Sequence, residues 1–194
     1  MTETGTQSPE SPAQQVDPTT SPVAPTAVSN PNLGPLLASE PLRLRGIGPV
    51  DFGMTVAEAE VALGAALVPD SALVSDACSL ATVEGDVGGP LLMVIWNGDF
   101  AAGRIMRADL SDQGTTLSGV TVGDTKDDVL AVYGDRIEVT PHKYTFAEGG
   151  EYLTFVPVDA ADASYRVVME TFDGRVTKIR AGLLPEVEFV ETCL

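Results

Sequence analysis

Few residues of this sequence could do chemistry. His142 is the one histidine, Cys78 and Cys193 are the two cysteines, and 28 residues are Asp or Glu. A Ser- or Cys-His-Asp relay would have to use His142. However, no G-x-S-x-G marks a serine, and Cys78 opens an apolar segment. Zinc takes three or four His, Cys or carboxylate ligands, and the soft ones are too few. Glu84, Asp86, Asp159 and Asp162 fall in loops without the D-x-D-x-D-G spacing of a calcium loop, and read as solvated turn acids. Gly46-Ile47-Gly48-Pro49 lacks the next glycine of a phosphate loop, and Pro49 removes a backbone donor. Paired carboxylates for glycoside chemistry could converge from distant segments, but among so many acids some pair looks suggestive by chance. The expectation is a non-enzyme with no catalytic residue, no cofactor and no metal.

One local cluster stands out, Pro141-His142-Lys143-Tyr144, in a stretch that continues to Gly149 and Gly150. Loops on a rigid scaffold often carry recognition, and an aromatic beside a cation makes a good anchor. His142, Lys143 and Tyr144 are therefore a possible recognition loop. The alternative is structural, with Tyr144 packed on a sheet, Lys143 reaching solvent and His142 a surface or capping residue. The cysteines leave two readings open as well. Bonded, they close a loop of about 115 residues, worth roughly 5 kcal/mol in lost chain entropy of the unfolded state, and pin the C-terminal end to the first half. Unbonded, they are two buried thiols.

The elements that must position these residues announce themselves through a repeated phrase. Gly46 to Gly64 reads GIGPVDFGMTVAEAEVALG and Leu117 to Gly134 reads LSGVTVGDTKDDVLAVYG. Gly53 aligns with Gly123, Thr55 with Thr125 and Gly64 with Gly134, without gaps. Val50 and Phe52, like Val120 and Val122, alternate as a strand does on entering a turn. Thr55 and Thr125 predict helix N-caps, with Glu58 completing a capping box and Asp128 a shorter version of it. Helices are expected over 55–63 and 125–133, ended by left-handed glycines at 64 and 134. The first buries Val56, Ala59 and Leu63, the second a broader stripe of Val129, Leu130, Val132 and Tyr133. Helices this short need a sheet to dock on.

Strands are predicted near Ser79–Val83, Leu91–Trp96, Arg104–Leu110, Arg136–Val139, Tyr152–Val156, Tyr165–Phe172 and Arg175–Ala181. Asn97-Gly98 and Asp173-Gly174 are the hairpin turns. Gly103-Arg104-Ile105 echoes Gly174-Arg175-Val176, so the correspondence extends beyond the helices. Two such units could pair edge to edge and cover each other's open strands. The expected organisation is a disordered Pro/Ser/Thr-rich tether over 1–42, a first repeat over 43–114 and a second over 115–194.

The two phrases resemble the duplicated strand-Gly-Met-Thr-helix-Gly phrase of the beta-lactamase inhibitory proteins. They are also similar to the small lipoprotein of the outer-membrane barrel assembly machinery. With Pro141 to Tyr144 and the acidic tail Val187 to Cys193, residues 43–194 look more closely like a group of bacterial secreted proteins and lipoproteins without an assigned function. The resemblance implies an α+β fold of two tandem repeats, short helices packed on an antiparallel sheet, used outside the cytoplasm to bind proteins. The chain departs from the pattern at Asp124, where Met is usual. Two cysteines stand where the inhibitory proteins carry a disulfide in each repeat, and only 6% of residues are aromatic.

Composition bounds the partners. At a formal charge of -17, with its Lys and Arg scattered along the chain, the protein would repel nucleic acid. No apolar run approaches the roughly 18 residues that span a bilayer; the longest is Leu91 to Trp96. The 44% hydrophobic content can bury a core. The N-terminus carries no basic and apolar leader, yet its prolines suit a tether following a signal or lipid-bearing cysteine encoded upstream of Met1. The chain is thus expected to be extracytoplasmic, secreted or lipid-anchored, touching a membrane only through that end. It is expected to be a monomer whose partner is another protein. A secreted hydrolase with a dispersed acid/base pair, or an inhibitor of β-lactamase-like enzymes, are the alternatives.

Overall fold

The computed structural model describes residues 1–2, 37–110 and 113–193. The tether expected over 1–42 lies mostly outside the described residues, and its last part is not a tether. Leu37 and Leu42 are each 1% exposed and belong to the core; the proline-rich average of the segment conceals these two leucines.

Three two-residue strands, β1 (Leu42–Arg43), β2 (Gly46–Ile47) and β3 (Val50–Asp51), form a small antiparallel sheet. Helix α1 (Val56–Leu63) follows, then β4 (Leu67–Val74), β5 (Cys78–Val83), β6 (Leu91–Ile95) and β7 (Arg104–Asp109). Next come α2 (Lys126–Tyr133), β8 (Ile137–Pro141), β9 (Glu151–Phe155), β10 (Tyr165–Phe172) and β11 (Arg175–Leu183). Strands β4 to β11 make one eight-stranded antiparallel sheet in the order β4-β5-β6-β7-β11-β10-β9-β8. The fold is α+β, as expected.

Both capping boxes are present. Thr55 Oγ1 accepts from the Glu58 N–H while the Glu58 carboxylate accepts from the Thr55 N–H, and Thr125 and Asp128 do the same. Gly64 ends α1 in the left-handed conformation, whereas Gly134 has a positive φ with extended ψ and leads into a 3-10 turn instead. Val56, Ala59 and Leu63 are buried on α1, and Val129 and Tyr133 on α2. They share one apolar cluster with Leu92, Val94, Ile105, Leu153, Val167, Met169, Ile179 and Ala181 of the sheet. Burying a Val or Leu there contributes about 1.5–3 kcal/mol, which stabilises helices too short to persist alone. Val132, read as part of the second stripe, is instead exposed.

The two phrases make matching contacts with the sheet. The Gly53 N–H donates to the Ile105 carbonyl and the Gly123 N–H to that of Val176. At the first helical residues, Val56 donates to Gly103 and Lys126 to Gly174. Arg104 caps the Gly53 carbonyl as Arg175 caps that of Gly123. The strand expected before α2 is absent; Thr121 makes only an isolated bridge to Thr115.

Asp173-Gly174 forms the expected two-residue turn, both residues at positive φ, the geometry that matches strand twist. Asn97-Gly98 sits inside the longer 96–103 connection. The two halves meet where β7 pairs with β11, Ala108 opposite Ala181 and Arg107 opposite Gly182. A Cβ on Gly182 would lie 2.5 Å from the Met106 carbonyl oxygen, so only glycine fits this joint.

Candidate functional site

Along β5, β6, β7, β10 and β11 the residues alternating with the core face the other way. Leu80 and Met93 form a small apolar cluster with Cys78. Further along, Arg107, Glu170 and Arg180 are buried at 1%, 7% and 4% exposure. Burying guanidinium groups requires that their donors be met, and the C-terminal segment meets them. After β11 the chain makes a 3-10 turn, Glu186–Glu188, and crosses this face. Arg107 donates to the Asp109 carboxylate at 2.8 Å and to the carbonyls of Glu186 and Phe189 at 3.1 and 2.7 Å. Arg180 donates to the Val187 carbonyl at 2.7 Å and to the Glu170 carboxylate. Val187 is fully buried. Cys193 then forms a disulfide with Cys78, Cα–Cα 5.3 Å, closing a sequence separation of 115.

The 142–150 loop reaches the same segment. His142 Nδ1 accepts from the Tyr144 and Thr145 N–H groups, both at 3.2 Å, so its proton sits on Nε2, 3.5 Å from Glu170 Oε2. Its ring stacks on Tyr152 with centroids 4.5 Å apart. Burial pushes the Glu170 carboxyl up, but the charge and hydrogen bond of Arg180, with Lys178 and His142 adding, hold it below the usual glutamate range. With one nitrogen holding the loop and the other facing Glu170, His142 organises a turn and presents no free nitrogen to a substrate.

Of the three residues predicted for the recognition loop, only His142 packs inward. Tyr144 does not pack on the sheet, as the structural alternative had it; it is 55% exposed and its hydroxyl donates to Glu191. Lys143 Nζ is 3.0 Å from the same carboxylate and 5.1 Å from the Tyr144 ring centroid. Phe146 and Phe189 are also exposed beside these residues in the chain. An open cavity of about 510 Å³ lies along the tail, lined by Ser75, Cys78, Ile95, Lys143, Glu191 and Cys193 among others.

Sequence reasoning missed Arg107, Arg180, Glu170, Phe146 and Phe189. A signal was available for Glu170, which follows the apolar run Val167-Val168-Met169, whereas Arg107 and Arg180 lie in strands with other charged residues and look in sequence like ordinary exposed positions. Asp86, read as a solvated turn acid, is buried and accepts from the Leu37 N–H at 2.9 Å. Asp159 caps a turn through the Ala161 N–H, and Asp162 pairs with Arg45. Among the described residues no group of His, Cys, Asp and Glu is placed to hold a metal ion, and no helix is long and apolar enough to cross a membrane.

No protein-family model, curated protein or solved structure matches the chain. The reading of this site rests on its geometry. That geometry offers exposed aromatics and a cation on a loop tied to a disulfide-anchored segment, over a layer of compensated charge.

Proposed function

We propose that the protein is a non-enzymatic, extracytoplasmic binding module for another protein, built by duplication of one helix-on-sheet unit. The observation that carries this reading is the loop and tail surface, where Tyr144 and Phe189 stand exposed beside Lys143, with Phe146 exposed farther along the same loop. Aromatic anchors on a rigid support are what protein hot spots use, and here the support is pinned by a disulfide. Bonded cysteines favour an oxidising compartment, in keeping with secretion or attachment to a bacterial envelope through the N-terminal end. The matching contacts of Gly53 and Gly123, and of Arg104 and Arg175, support the duplication. The acidic surface favours a partner with a basic face and disfavours nucleic acid. The resemblance to beta-lactamase inhibitory proteins points the same way at the level of fold use, with the partner left open.

A hydrolase with a dispersed acid/base pair draws less support. Its acid would need a carboxyl held protonated, whereas Glu58, Asp128 and Glu170 are all displaced toward the ionised form.

The test is capture from an envelope fraction by immobilised protein and by the Tyr144→Ala/Phe146→Ala/Phe189→Ala variant. The expected result is one specific protein retained by the first and lost by the second. Retention of no specific protein, or equal retention by both, overturns the reading. Purified class A β-lactamases assayed alongside separate inhibition from other binding.

A further inference from the structure

We propose that the sheet face beneath residues 185–193 is a peptide-binding groove. In this proposal the protein's own C-terminal segment fills the groove as a tethered ligand, and opening the Cys78–Cys193 disulfide frees it for a partner's segment of the same chemistry. This rests on the protein-binding reading above and adds to it a second ligand site, beneath the segment that carries Phe189, with its ligand class and control.

The contacts specify the ligand. Arg107 and Arg180 hold the carbonyls of Glu186, Val187 and Phe189, which is recognition of main chain and is indifferent to side-chain identity. Side-chain selection comes at two points: Val187 is fully buried, and the Glu191 carboxylate is taken by Lys143 and Tyr144. The groove therefore reads an apolar residue followed, four positions on, by a carboxylate.

The groove can also stand empty. With the tail lifted, Arg107 keeps Asp109 and Arg180 keeps Glu170, so neither buried guanidinium loses its counter-ion, the loss that makes broken buried pairs costly. The tail is an imperfect occupant, because Glu186 Oε2 is buried without a hydrogen-bond partner, and such an orphan disfavours the bound state.

The latch is reachable, since the cavity of about 510 Å³ is lined by both cysteines. A dithiol reductant attacks one sulfur through its thiolate, forms a mixed disulfide, and resolves it with its second thiol. Cys78 and Cys193 leave as thiols and the reductant as a cyclic disulfide, with two electrons and two protons passing to the protein.

The experiment uses the full chain, oxidised or treated with dithiothreitol. Its probe is a labelled peptide copying residues 185–193 with Cys193→Ser. The reduced protein is expected to lose hydrogen-exchange protection over 186–193 while β10, β11 and both helices keep theirs. It is also expected to bind the peptide at least tenfold more tightly than the oxidised protein. Peptides carrying Val187→Asp or Glu191→Gln should bind at least fivefold more weakly, a readout that needs no variant of the protein to fold. Equal peptide binding in both redox states, a tail still protected after reduction, or loss of protection across the whole sheet overturns the proposal. Capture of an envelope partner by the oxidised protein, with no peptide bound in either state, sinks this groove and leaves the binding reading intact.

Discussion

The buried charges on the second face place the most consequential chemistry in single residues. Glu170 titrates lower folded than unfolded, so in acid the unfolded chain takes up the proton first. Its contribution is complete above the ordinary glutamate value of about 4.3 and is lost as pH falls through the lower folded value. Glu170→Gln should cost about 3 kcal/mol at pH 7 by leaving Arg180 uncompensated. It should also flatten the decline of stability on acidification, which urea titrations at pH 7 and pH 3 can check. The caps are simpler. Thr55→Ala removes a hydroxyl that accepts from the Glu58 N–H at 3.2 Å and donates to the Glu58 carboxylate at 2.9 Å, leaving the backbone N–H of residue 55 as the donor that still holds that carboxyl low. A loss of about 1 kcal/mol is expected, and Thr125→Ala should match it if the two helix starts are equivalent.

At the scale of elements, legibility followed local chemistry. The helices were readable because a Thr and an acid three residues later satisfy each other whatever the surroundings. Strands β5 to β11 were readable because each carries a continuous or alternating set of apolar residues, several of them bounded by turn residues. Strand β4 was not, because Pro69, Asp70 and Ser71 break its pattern and its pairing with β5 shifts register there. Of the three short strands before α1, which pair locally with one another, β3 was foreshadowed by Val50 and Phe52, while β1 is also held from far along the chain, the Leu42 N–H donating to the Thr115 carbonyl. The site was half legible. A loop rich in unusual residue types can be seen in a sequence, but a tail folding back over a sheet is a tertiary event with no local signature beyond its cysteine. The joint between β7 and β11 gives the sharpest test at this scale. Gly182→Ala drives a methyl into the Met106 carbonyl and the Arg107 backbone. Destabilisation of about 2 kcal/mol or more is expected from overpacking against main chain that cannot yield, measured by thermal or denaturant melting.

The whole molecule carries a formal charge of -17, and most of its cations are already engaged by its own carboxylates and carbonyls. Self-repulsion of this size is screened by salt, so the melting temperature should rise between about 10 mM and 0.5 M ionic strength. Association with a basic partner should slow over the same range, which stopped-flow rates would reveal. The bond between Cys78 and Cys193 also fixes how the molecule would bear a load. A pull applied at its two ends passes straight across that bond, so everything between the two cysteines is spared the tension. Among the described residues, the length able to pay out is the stretch from Leu37 to Ala77, about 140 Å at roughly 3.5 Å per residue. An oxidised protein stretched on a surface would let out that short leash, its small sheet, first helix and edge strand β4, while the proposed recognition loop and the tail stayed in register.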